Sequence, residues 1–351
     1  MVQVIFQRPL SALTDVVLDI APKATTERYR LIDCRQYTIA RVLSIAECID
    51  ISSISYAAVS YVWKGNTSSE QGKTASFSVK GAEDGDPVSI DALYQACLAS
   101  LLEGANWLWL DRLCIVQTSS DDKAWQIGHM YNIYQLCKVS IVLPGGISRL
   151  VPVDEETGWI TRAWTLQEVT APPRAVVLFA WECGAGEWKD ERGEVIGRVT
   201  EVSSGTALVP LQDVLKACFH PVALEWTATG KPDSCDDVSP CILGTYGESS
   251  IGSLLWALEV DDADGKSMAI WRSSLLRASS RPVDMVFSIM GTFNVVLDPK
   301  RFHKNDRVGA TIALAQEILR LGGKPVWLAL SLDIPPSRFI SSFPDFPATS
   351  I

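Results

Sequence analysis

Histidine is nearly missing from this 351-residue chain: His129, His220 and His303 are all it has. A His-rich metal centre or a Ser-His-Asp relay would have to draw on three residues far apart in sequence. Basic residues are outnumbered, 31 Lys+Arg against 41 Asp+Glu, for a net charge of -10. That balance argues against a broad nucleic-acid-binding face, which depends on clustered cations. A small anion needs only one Arg or a helix N-terminus, so it stays open. The nine cysteines contain no Cys-x-x-Cys pair and are odd in number, which suits neither a zinc knuckle nor a closed disulfide framework. The longest apolar run, Ala175 to Trp181, is far short of the roughly 18 residues of a membrane helix. Thr14, Asp15 and Asp19 interrupt the N-terminal stretch where a signal peptide would stay apolar. Together these absences predict a cytoplasmic protein with reduced thiols, no metal, no nucleic-acid partner and no membrane contact. Any chemistry falls to carboxylates.

What is present is a large apolar fraction, 47 %, and twelve tryptophans, enough for one large domain or two moderate ones. Residues 56–63, YAAVSYVW, read as a buried strand followed by a loop running to about Pro87. Ser89 is placed as an N-cap for a helix carrying Leu93, Cys97 and Leu101 on one stripe and ending at Gly104. NWLWLD is a short strand stopping at Asp111. SSDD starts a second helix with Ile127, Met130, Tyr134 and Cys137 on one face. VSIVLPGG and RAVVLFAW are further strands, separated by WITRAWTLQEV at 159–169, which is helical in composition.

Strands alternating with amphipathic helices predict a parallel sheet with helices on both faces over 51–185. Residues 1–50 are taken as an N-terminal segment, 186–330 as a mainly helical region packed on the core, and 331–351 as an extended Pro- and Ser-rich tail.

Four ordered blocks carry a family likeness: Tyr56 to Trp63, Trp109 to Gln117 (WLDRLCIVQ), Met130 to Tyr134 (MYNIY), and Trp159 to Glu168 (WITRAWTLQE). They resemble the fungal heterokaryon-incompatibility (HET) domain, with its Y-x-A-L-S-Y-x-W-G, W-I-D-x-x-C-I-x-Q and R-x-W-T-x-Q-E blocks. RPVDMVF, Arg281 to Phe287, is similar to a short R-x-x-D segment such proteins carry downstream. The chain departs from the pattern at Lys64, between Trp63 and Gly65, at Val116, where Asn or Asp is usual, and at Val169, in place of Leu.

The resemblance implies a TIR-like, flavodoxin-like doubly wound, mostly parallel sheet, and a role in fungal cell death after fusion of unlike hyphae. Many TIR domains cleave NAD+ between nicotinamide and ribose with a Glu set in a segment similar to AWTLQEV, which makes Glu168 the first candidate catalytic residue. Cleaving that bond builds positive charge on the ribose, so a carboxylate beside the sugar suffices, with NAD+ as substrate and no cofactor. The plain alternative leaves Glu168 on a solvated helix face.

Asp111, expected at the end of a strand where parallel sheets place their crevice, is the second candidate acid, or else a turn former. Ser60, Lys64 and Gly65 after the first strand are candidate phosphate contacts, and Arg162 a candidate anion partner. Trp63 and Trp164 are candidate ring-stacking residues, and Trp109 is assigned to the core. Cys114 reads as a buried structural thiol, and His129 as a polar residue outside the chemistry. Two other functions stay open: a non-enzymatic death-signalling module that self-associates, and a stand-alone enzyme acting on a hydrophobic small molecule.

Overall fold

The computed structural model describes residues 2–66, 75–229 and 231–326, without the side chains of 231–236. The tail expected over 331–351 and part of the loop before Pro87 lie outside the described residues. Strands β1 (Gln3–Pro9), β2 (Val17–Leu18) and β3 (Tyr29–Asp33) lead into helix α1 (Cys34–Thr38) and β4 (Val42–Cys48). Next come β5 (Tyr56–Tyr61), β6 (Ser76–Val79), β7 (Val88–Ser89), α2 (Ile90–Leu102) and β8 (Trp107–Trp109). They are followed by α3 (Asp111–Cys114), α4 (Ser120–Leu136), β9 (Val139–Leu143), α5 (Thr165–Thr170) and β10 (Ala175–Ala180). Then β11 (Gly186–Lys189), β12 (Val195–Ser203), β13 (Thr206–Pro210), α6 (Leu211–Cys218), β14 (Leu224–Ala228) and β15 (Lys231–Val238) precede four helices. Those are α7 (Ser249–Glu259), α8 (Ala263–Leu275), α9 (Asp284–Met290) and α10 (Arg307–Arg320).

Local chemistry sets the helix starts where the sequence suggests them. Ser89 Oγ accepts from the Ala92 amide at 3.2 Å to open α2, and Ser119 Oγ accepts from Asp122 at the same distance to open α4. The acids of SSDD add favourable charge to the first turn of α4.

One twelve-stranded sheet runs in the order β1-β4-β3-β8-β5-β9-β10-β13-β12-β11-β14-β15. Its centre, β8-β5-β9-β10, is parallel, and every other pairing in it is antiparallel. The expected mostly parallel sheet is therefore a mixed one, parallel only over four strands. Hairpins account for the difference: Gly193 and Gly205 take positive φ in the turns after β11 and β12, and a two- to five-residue turn can only join antiparallel neighbours. The stretch after 185, expected to be mainly helical, holds five strands, three before α6 and two after it. Its charged segment hides them, because in β11 Glu187 and Lys189 face outward around the fully buried Trp188.

The two faces of the central strands carry separate cores. Val176 and Leu178 of β10 join Leu93 and Cys97 of α2 on one face, while Val177 and Phe179 join Leu166 and Val169 of α5 on the other. Residues 159–169 do not form one helix. Trp159–Thr161 is a single 3-10 turn, and Arg162 is extended because the backbone pairs with a distant segment. Ala163 N donates to Ala278 O at 2.9 Å and Ala278 N to Thr161 O at 2.6 Å, so tertiary pairing overrides the local helical preference.

Arg30 of β3 lies wholly buried, and all five of its donors are used. Nε donates to Glu47 of β4 at 3.2 Å, and the two Nη atoms grip both oxygens of Asp122 at 2.9 and 2.8 Å. The remaining two reach the carbonyls of Cys114 and Thr25 at 3.0 and 2.7 Å. Removing the cation would strand two buried carboxylates, which typically costs about 3–5 kcal/mol. Arg30→Met is thus expected to lower the free energy of unfolding measured in urea by an amount in that range, and Arg198→Met, at an exposed pair, to leave it nearly unchanged.

Candidate functional site

Ser60, near the C-terminal end of β5, faces α5 and anchors Glu168: its Oγ donates to Glu168 Oε2 at 2.5 Å and accepts from Trp159 Nε1 at 3.0 Å. Glu168 is partly buried, and burial pushes its carboxyl up to about 8. The Ser60 hydrogen bond opposes that rise, the charge of Asp111 adds to it, and Arg277 and Arg162 oppose it from a distance.

Neither guanidinium closes on the carboxylate. Arg277, on the segment after α8, is buried and spends Nη1 on the Arg162 carbonyl at 2.9 Å and on Thr165 Oγ1 at 2.6 Å. Its Nη2 is buried without a hydrogen-bond partner, and burial pushes the group down to about 9 despite Glu168. Arg162 is half-buried and its side chain makes no hydrogen bond or ion pair among the described residues, although Glu168 and Asp284 both bear on its charge. Asp284, at the start of α9, is pushed up to about 6 by burial, held back by a 3.1 Å hydrogen bond from Trp164 Nε1 and by the charges of Arg281 and Arg162.

Asp111 sits beyond the end of β8, as expected, and is taken up by its neighbours. Tyr61 OH donates to Oδ1 at 2.6 Å, Trp63 Nε1 to Oδ2 at 2.7 Å, and the Arg112 amide to Oδ1 at 2.6 Å. Arg112 itself is buried, stacked over the Trp63 ring at 4.8 Å and bonded to the carbonyls of Asp86 and Trp63. The Gly65 amide donates to Asp86 Oδ2 at 2.7 Å, and a Cβ at Gly65 would lie 1.8 Å from the Gly145 carbonyl oxygen. That close backbone approach is what glycine permits there. Lys64 stands exposed beside it.

Sequence reasoning thus named one cluster, Ser60, Glu168, Arg162 and Trp164, and a neighbouring one, Trp63 and Asp111. It missed Tyr61, Arg112 and Arg277, and gave Asp284 no site role. Arg277 had no motif around it; Asp284 had one, in RPVD. Trp109 packs in the core, edge-on to Tyr134. Cys114 is buried with its thiol pushed up to about 12, and His129 stacks on Trp125, away from the acids. Among the described residues one group could hold a metal: Asp190, Glu191 and His220, with ligand atoms within 4.8 Å of one another, on the β11–β12 hairpin and past the end of α6. No helix among the described residues is long and apolar enough to cross a membrane.

Three of the four blocks, together with Ser60, Trp63 and Asp111, fall within one matched stretch. Residues 56–150 match the family model described as Heterokaryon incompatibility protein (HET). The HET match covers β5 through β9 and stops before Trp159, so Glu168, Arg277 and Asp284 lie outside it. No curated protein and no solved structure matches the chain. Residues 56–150 of the chain are thus similar to the heterokaryon-incompatibility family, and the likeness is limited to this HET segment.

A carboxyl raised from 4.5 to about 8 binds its proton more tightly in the folded than in the unfolded chain. Its contribution therefore favours the fold at low pH and is lost as pH rises across that window. Glu168→Gln removes the titration. Urea unfolding at pH 5.5 and 8.5 is expected to show the variant gaining on the parent by on the order of 2–3 kcal/mol at the higher pH.

Proposed function

We propose that this heterokaryon-incompatibility-type protein hydrolyses the N-glycosidic bond between nicotinamide and ribose in NAD+, with Glu168 as the catalytic carboxylate, in a fungal cell-death response. The observation that carries the reading is the pairing of a desolvated carboxyl with two guanidinium groups that have no carboxylate contact, Arg162 and Arg277 Nη2. Unspent buried cation donors fit an anionic ligand, and a planar fork suits phosphate oxygens. The strand order β8-β5-β9-β10 reads 2-1-3-4 in chain order, which supports a TIR-like, flavodoxin-like centre. In such sheets ligands lie beyond the carboxyl ends of the strands where the order reverses, here β5 and β9, and Ser60 and Trp63 stand at that end of β5.

In the reaction the bond electrons leave with the positively charged nicotinamide, which departs neutral. Charge builds on the ribose, and ionised Glu168 stabilises it. Water then adds at the anomeric carbon and releases a proton. Asp111, held by Tyr61, Trp63 and the Arg112 amide, stays out of bond making. The cationic nicotinamide ribosyl group favours the ionised form of Glu168 on binding.

The test follows nicotinamide release from NAD+ by the purified full chain. Expected are turnover by the parent, a loss of about 100-fold or more in Glu168→Gln, and a KM raised about tenfold in Arg162→Gln, the equivalent of roughly 1.4 kcal/mol of binding. kcat/KM should rise with pH through about 8, where the free carboxyl ionises. No release by the parent, or equal release by Glu168→Gln, sinks the reading.

A further inference from the structure

Gln167, the neighbour of Glu168 in the fourth block, has no part in that chemistry. Its side chain is 1 % exposed, turned away from solvent, and its Nε2 is buried with no hydrogen-bond acceptor. It lines a cavity of about 200 Å³ between α4, α5 and α9, closed on one side by residues 291–296. Asn132, Gln135 and Asn294 line the same cavity, with Phe287 and Met290 among its apolar walls. None of the lining residues is charged, and none belongs to the Glu168 or Asp111 clusters.

We propose that this cavity is a binding site for a neutral, planar heterocycle of nucleobase size, separate from the Glu168 site. The volume fits one ring system, and the space opens to solvent past the exposed Asn132, Gln135, Asn294 and Val296. The uncharged lining offers no counter-charge, which favours a neutral ligand over an ion. Carboxamides match the ligand chemistry: each offers two donors and an acceptor in one plane, the arrangement that pairs with the edge of a base. A ring nitrogen or carbonyl on the ligand would give Gln167 Nε2 the acceptor it lacks, and the Phe287 ring and Met290 sulfur offer apolar contact to its faces. Gln167 sits in α5 directly before Glu168, so occupancy would also stiffen the helix that carries the acid.

Gly128 of α4 provides a clean probe. A Cβ there meets only Val296 Cγ1, at 3.9 Å, and both residues line the cavity. A longer side chain at 128 therefore enters the space, on a helix that tolerates the loss of glycine. The experiment titrates adenine, and separately uracil, into the full chain by calorimetry, with circular dichroism to verify the fold of each variant. At least one base is expected to bind the parent, to bind Gly128→Leu and Gln167→Met at least tenfold more weakly, and to bind Glu168→Gln as it does the parent. Failure of both bases to bind the folded parent at millimolar concentration overturns the proposal, as does binding unchanged in folded Gly128→Leu. Should Gly128→Leu not fold, Gln167→Met carries the same test. Binding lost in Glu168→Gln but kept in Gln167→Met overturns it too, and places the base at the Glu168 site. Failure of NAD+ turnover leaves all these outcomes readable, since the assay is of binding alone.

Discussion

A single buried cation ties the outer strands of the sheet to its centre. Arg30 comes from β3, its carboxylates from β4 and α4, and its carbonyl acceptors from Thr25 and Cys114. Asp122 does more than neutralise it, for the same carboxylate accepts the Val116 amide at 2.8 Å. The loop between α3 and α4 is thereby held at both ends, and that loop descends directly from Asp111. Gln117 completes the hold by donating to the Asp111 carbonyl at 3.0 Å. Burying a charge costs least where every donor finds an acceptor, as all five of Arg30 do, and here the acceptors are what give the segment its shape. The geometry of Asp111, and through it of Tyr61 and Trp63, rests on this contact.

Tryptophan is the second recurring device. Trp159, Trp63 and Trp164 each direct one indole N–H at a polar group, respectively Ser60, Asp111 and Asp284. A large ring can fill the space between sheet and helix while its single donor fixes the direction of an acceptor. Such a ring serves as packing and as orientation at once. Asp284 and Glu168 both lie in surroundings that disfavour their charge, and donors aimed at them partly offset that.

The parallel centre was legible because its strands are apolar on both faces and its helices carry caps at Ser89 and Ser119. The antiparallel arms were not. Strands such as β12, with Arg198 and Glu201 outward and a bulge near its end, mix charge into every window that a periodicity search would use. The break at Arg162 was equally hidden, since it depends on pairing with Ala278, more than a hundred residues away. Within the candidate site, Glu168, Ser60 and Arg162 could be named from their blocks. Arg277 could not, because nothing in LLRAS distinguishes a buried cation from a surface one, and only its position against Thr165 does so.

That position has a consequence for the order in which the site comes into being. Ser60, Asp111, Arg162 and Glu168 all precede residue 185, whereas Arg277 and Asp284 follow five further strands and the helices α6 to α8 in the chain. A polypeptide emerging from the ribosome holds both acids long before the guanidinium that faces them and the aspartate that receives Trp164. The extended turn at Arg162 also waits for Ala278 to pair with it. Assembly of the charge set is therefore a late event of synthesis, and a chain halted midway carries the residues of the site without its arrangement.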